Sequence, residues 1–115
     1  MESKAMARET GYPARKVRQI ADLVRGMNVE EALEVLKFTS RAPAITMSKT
    51  IKSAMHNMVN KKGGTVDAED MVIKSITVDE GRTLYRIRPR AQGRAFRIRK
   101  RSSHINVVLA LLEEE

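Results

Sequence analysis

Nine basic residues and no acid lie between positions 82 and 101: Arg82, Arg86, Arg88, Arg90, Arg94, Arg97, Arg99, Lys100 and Arg101. Eight of the nine are arginine. Arginine presents a planar fork that grips phosphate oxygens through paired hydrogen bonds, and it sheds water more easily than lysine. The chemistry on offer is neutralisation of a polyanion's phosphates. A merely solvated basic run is the competing reading of that composition. The whole chain of 115 residues has 22 basic and 14 acidic residues, a formal net charge of +8. Outside the segment, 95 residues hold 13 basic and 14 acidic groups, a net −1. A near-neutral body thus carries a strongly cationic attachment, which points to a nucleic-acid partner or, less well, an anionic membrane surface.

A second basic group is Arg15, Lys16, Arg18 and Arg25, close enough to share one region of a helix surface. An ordinary wet helix face is the alternative. Ser102, Ser103 and His104 are the only neighbours that resemble a nucleophile and its base. Catalysis would need them on separate elements with a third group orienting the base, and no carboxylate cluster or glycine-rich phosphate loop accompanies them, so no catalytic residue is expected. The chain has no cysteine and two histidines, His56 and His104. Neither a disulfide framework nor a metal site of the usual kind is expected, and no cofactor is implied. The longest wholly apolar run, Val107 to Leu112, is far short of the ~20 residues of a membrane helix. The first residues lack the apolar stretch of a signal peptide, so a cytosolic protein without a membrane partner is expected.

These groups need elements to hold them, and the length allows one domain. Residues 2–10 alternate weakly and predict a short strand. Pro13 suits the first turn of a helix whose apolar face is Val17, Ile20, Ala21 and Val24, with Gly26 as its stop. Asn28 and Glu31 are spaced as a capping pair for a second helix with Ala32, Leu33 and Leu36 inward. Thr39 or Ser40 can cap a third, in which Ala44, Met47, Ile51, Met55 and Met58 recur at helical spacing. These methionines read as core filler, and His56 as a helix-surface residue. Residues 71–78 read as a strand, 79–81 as a turn and 104–112 as a final strand. The order predicts an α+β fold: three helices packed on a small antiparallel sheet, with a long protruding β-hairpin. The single domain divides into a body, 1–81 and 102–115, and an arm, 82–101.

For the arm, a two-residue turn at Gln92-Gly93 would place Arg88 opposite Arg97 and Arg86 opposite Arg99, with Ile87 opposite Ile98. Arginines would gather on one face and apolar groups on the other. Such a ribbon is marginal in water, and phosphates between its arginines would stabilise it. Only four aromatics exist, Tyr12, Phe38, Tyr85 and Phe96, too few for a stacking platform that reads single strands. Phosphate contact and shape remain. These allow folded RNA, and they allow a β-ribbon-arm DNA-bending architectural protein with Pro89 as its wedge. The DNA reading calls for an intertwined dimer, and no apolar surface stands out as spare for one, so no homo-oligomer is expected.

Two stretches resemble a known family. The run Pro13-Ala-Arg-Lys-Val-Arg-Gln-Ile-Ala-Asp-Leu-Val-Arg-Gly26 is similar to the first-helix motif of large ribosomal subunit protein 22. Val78-Asp-Glu-Gly81, Pro89-Arg-Ala-Gln-Gly-Arg-Ala95, Ile98, Lys100-Arg101 and Ser103-His-Ile105 resemble its hairpin and C-terminal signature. The order and spacing match over about residues 2–109. The resemblance implies a bacterial-type cytoplasmic ribosomal protein, with an organelle ribosome left open. It would bind large-subunit rRNA, aid early subunit assembly and send its hairpin inward to line the nascent-peptide exit tunnel. Arg90, Ala91, Gln92, Gly93 and Arg94 would be the tunnel-lining tip, near a constriction shared with large-subunit protein 4. The rRNA-binding residues implied are Arg15, Lys16, Arg18, Arg25, Arg82, Arg86, Arg88, Arg90, Arg94, Arg97, Arg99, Lys100, Arg101 and His104.

Overall fold

The computed structural model describes residues 2–64, 66–89 and 95–112. Strand β1 is Glu2–Ala7, followed by helices α1 (Ala14–Val24), α2 (Val29–Lys37) and α3 (Pro43–Lys61). A short 3-10 turn, Ala68–Asp70, leads into β2 (Met71–Glu80), β3 (Leu84–Pro89), β4 (Ala95–Lys100) and β5 (Ser103–Leu111). The fold is α+β. Strands β1, β5 and β2 form one antiparallel sheet in that order, and β3 and β4 form a second.

The three helices cover one face of the three-stranded sheet. Each buries the stripe its sequence spacing dictates: Val17, Ile20, Ala21 and Val24 from α1, Ala32 and Leu36 from α2, and Ala44, Met47, Ile51 and Met58 from α3. They meet Met71, Ile73, Ile76 and Val78 of β2 and Ile105, Val107 and Leu109 of β5 in one core. Of the methionines read as core filler, Met47 and Met58 are fully buried and Met55 is partly buried against the core. Burying each such side chain contributes about 1.5–3 kcal/mol. Every second residue of β5 points away from the core, so His104, Asn106 and Val108 are only half-buried.

Local signals set the helix ends. Gly26, at φ +83°, takes the left-handed conformation that stops α1. Asn28 caps α2 by accepting from the Glu30 N–H at 2.9 Å, and its Nδ2 donates to the Glu69 carbonyl at 2.8 Å. The expected partner Glu31 is thus replaced by a tie to the 3-10 turn. Helix α3 lacks the expected side-chain cap. Ala42 sits at that position, and the Thr39 hydroxyl donates back to the Val35 carbonyl of α2. Pro43 opens the helix instead, because its missing N–H leaves no donor to satisfy. Strand β2 runs to Glu80, so Asp79 and Glu80 pair with His104 and Ser103 rather than forming a turn.

Both edges of the sheet are closed by side chains from the helices. At the β2 edge, Arg18 donates to the Val78 carbonyl through Nε (3.2 Å) and Nη2 (2.9 Å), and Arg25 Nη2 donates to the Ile76 carbonyl at 2.8 Å. At the β1 edge, Asn57 donates to the Lys4 carbonyl (2.9 Å) and Lys61 to the Glu2 carbonyl (2.7 Å). Unpaired edge groups invite pairing with other chains, and these donors occupy them. Lys74 forms an ion pair with Glu2 and holds its carboxyl below the usual range.

Candidate nucleic-acid interface

The two-stranded sheet is the arginine-rich ribbon. Its partners are Leu84↔Lys100, Tyr85↔Arg99, Arg86↔Ile98, Ile87↔Arg97, Arg88↔Phe96 and Pro89↔Ala95. This is one residue away from the register expected above. Arg88 pairs with Phe96 rather than Arg97, and Arg86 with Ile98 rather than Arg99. A two-residue turn requires an even number of residues between paired strand ends. Here the last pair is Pro89↔Ala95, which leaves an odd number between them. The observed register places no basic residue opposite another, removing the like-charge cost of the alternative. It also removes the division into an arginine face and an apolar face. By strand alternation, Arg86 and Arg88 fall in one register class and Arg97 and Arg99 in the other. The tip residues Arg90, Ala91, Gln92, Gly93 and Arg94 lie outside the described residues.

The ribbon's root is held by short-range bonds. The Gly81 N–H donates to the Ser102 carbonyl at 2.9 Å, and the Ser102 hydroxyl donates to the Arg82 carbonyl at 2.7 Å. A Cβ on Gly81 would stand 2.6 Å from Ser102 Oγ and 3.2 Å from His104 Cε1, so any larger residue there would have to move these side chains. The segment before α1 joins the same knot. The Thr10 N–H donates to the Ser103 carbonyl at 3.0 Å, and the Thr10 and Ser103 hydroxyls are 2.9 Å apart. The Glu9 N–H donates to His104 Nδ1 at 3.1 Å. Ser102, Ser103 and His104 therefore bond to two other segments, residues 9–10 and 81–82, rather than to one another. Their geometry is that of a joint, not of a nucleophile and base.

The structure divides the basic residues of α1. Arg15 and Lys16 are exposed, whereas Arg18 and Arg25 also clamp β2. Arg25 pairs with Asp22 as well. Sequence spacing places these four on one helix and is silent on the clamps, because the carbonyls they reach lie some 50 to 60 positions away. At the root, Arg82, Lys100 and Arg101 are exposed. Arg15, Arg18 and Arg101 line one cleft of about 590 Å³ between α1 and the ribbon root. Tyr85 and Glu80 line it too. Among the described residues no helix is long and apolar enough to cross a membrane.

The molecule measures 69 × 25 × 19 Å, with a radius of gyration of 17.4 Å. A compact chain of this length would have about 13 Å. The excess is the mark of a projecting element.

Comparison with known proteins follows the same outline. A family model described as ribosomal protein L22p/L17e matches residues 5–110. The large ribosomal subunit protein uL22 of Myxococcus xanthus is 47% identical over 110 residues, covering 96% of this chain and 96% of the relative. The protein of the same name from Desulfitobacterium hafniense strain Y51 is 45% identical over 113 residues, covering 98% and 97%.

Proposed function

The chain belongs to the ribosomal protein L22p/L17e family, and from that premise we propose that its arginine-rich ribbon binds large-subunit rRNA and reaches the peptide exit tunnel. The family is structural and non-enzymatic, and the chain is a structural constituent of the large ribosomal subunit. One observation carries the finer reading. The segment that holds the chain's net charge is also the one that forms a separate two-stranded sheet.

In this reading residues 1–115 form one domain, with a body (1–81 and 102–115) that positions an arm (82–101). Arg86, Arg88, Arg97 and Arg99 neutralise phosphates on both sides of the ribbon, which suits an element surrounded by RNA rather than laid against it. Arg90 and Arg94 flank Ala91, Gln92 and Gly93 at the tip, which faces the nascent peptide near the constriction shared with large-subunit protein 4. Arg82, Lys100, Arg101 and His104 meet rRNA at the root. Arg15 and Lys16, with the N–H groups that Arg18 and Arg25 keep free of β2, meet it at the body. The protein acts in cytoplasmic large subunits as a single copy and aids early assembly by holding rRNA segments together. The expected outcome is co-sedimentation with large subunits that resists moderate salt. Protein left at the top of the gradient would contradict the reading.

A further inference from the structure

We propose that the groove between α2 and α3 docks a protein neighbour in the large subunit: an amphipathic helix whose apolar stripe lies along the groove, with basic residues beside α2 and acidic residues beside α3. The inference rests on the chain's place in the large subunit and concerns a face that the RNA-binding reading leaves unused.

Phe38 (78% exposed) and Ile45 (65%) are the most exposed large apolar residues among those described. A single exposed apolar side chain is ordinary. These two stand at one groove of about 760 Å³, whose lining includes Leu33, Leu36, Ala44 and Ile45. Phe38 lies between Lys37 and Thr39, which line the groove as well. Lys37 Nζ sits 5.9 Å from the Phe38 ring centroid, yet most of the residue stays open to solvent. An apolar floor inside a charged rim marks an interaction surface.

The rims select the occupant. Glu30 and Glu34 line the α2 side, and Lys49 and Lys52 the α3 side. Among the described residues none of the four is in an ion pair. The groove keeps its own opposite charges apart and leaves both rows for an occupant. A phosphate backbone fits poorly, because α2 carries Glu30, Glu31 and Glu34 against Lys37 alone. A polypeptide can present bases to one rim and acids to the other. A strand would need free backbone groups to pair with, and helix walls offer none. From Glu30 to Phe38 the α2 wall rises about 12 Å, two turns of a partner helix, which gives room for apolar anchors at i, i+4 and i+7.

The chain has no cysteine, so Ile45→Cys adds a single thiol. Its reaction with a maleimide is measured on the free protein and on large subunits that contain it. The thiol is expected to react in the free protein and to lose that reactivity in the subunit. Benzoylphenylalanine in place of Phe38 is expected to cross-link, within the subunit, to a protein helix whose apolar residues lie between a basic and an acidic row. Lys49→Glu with Lys52→Glu is expected to cut that yield about threefold or more, and changing the facing acids of the mapped helix to lysine restores it. Equal thiol reactivity in both states, no cross-link to protein, cross-links to rRNA or to a second copy of this chain, or a yield unmoved by the charge reversal overturns the groove as a helix site while the large-subunit reading stands. Absence of the chain from purified large subunits overturns both.

Discussion

Arg18 of α1 and Arg25 at its C-cap stand seven residues apart and reach carbonyls two residues apart on β2. The match follows from geometry: seven helical residues rise about 10.5 Å and two strand residues about 6.6 Å, a difference that long, flexible side chains absorb. Each bond puts a charged donor on a backbone acceptor that would otherwise face water at a sheet edge. We expect Arg18→Ala to lower stability by about 1 kcal/mol, a value reduced from that of a buried charged bond because the group is exposed. Lys16→Ala, with no such bond among the described contacts, should stay within about 0.5 kcal/mol of wild type. Urea unfolding of the two variants checks the contrast, and equal effects would mean that the clamp contributes nothing. Either of the two arginines could be mistaken for a pure RNA contact in a binding assay, so stability has to be measured beside affinity.

At the scale of elements, what repeats locally was readable and what depends on distant partners was not. The three apolar helix faces follow from spacing alone, since the 3.6-residue period places Val17, Ile20 and Val24 on one side whatever they pack against. Strand β5 was legible for the same reason, through its alternation of Ile105, Val107 and Leu109. The ribbon register was not. Two registers one residue apart both give arginine-rich strands, and the choice falls to the length of the connection and to cross-strand charge. The α3 start misled because Thr39 and Ser40 are good caps by type, yet Thr39 bonds to α2.

The joint at the ribbon root can be tested at this scale. Gly81→Ala would push Ser102 Oγ from a site 2.6 Å away and break its bond to the Arg82 carbonyl. We expect a loss of about 1 kcal/mol and faster amide exchange at residues 81–83 and 101–102, with the core amides unchanged. Exchange that rises throughout the core would show instead that Gly81 supports the body rather than the joint.

For the whole molecule, the body's core, among the described residues, draws on α1, α2, α3, β2 and β5. An isolated two-stranded ribbon is marginal in water. Deleting residues 87–98 should therefore leave a single cooperative thermal transition near that of wild type. Loss of cooperative melting would show that the ribbon is part of the body's stability.

The central claim is that the ribbon's arginines are the main phosphate contacts. Its most direct test is the salt dependence of affinity for a large-subunit rRNA fragment, compared between wild type and a variant with Arg86, Arg88, Arg97 and Arg99 all changed to Ala. The log–log slope of the variant is expected to be flatter by about three to four units, with the body's unfolding unchanged. An unaltered slope would place the binding elsewhere and contradict it.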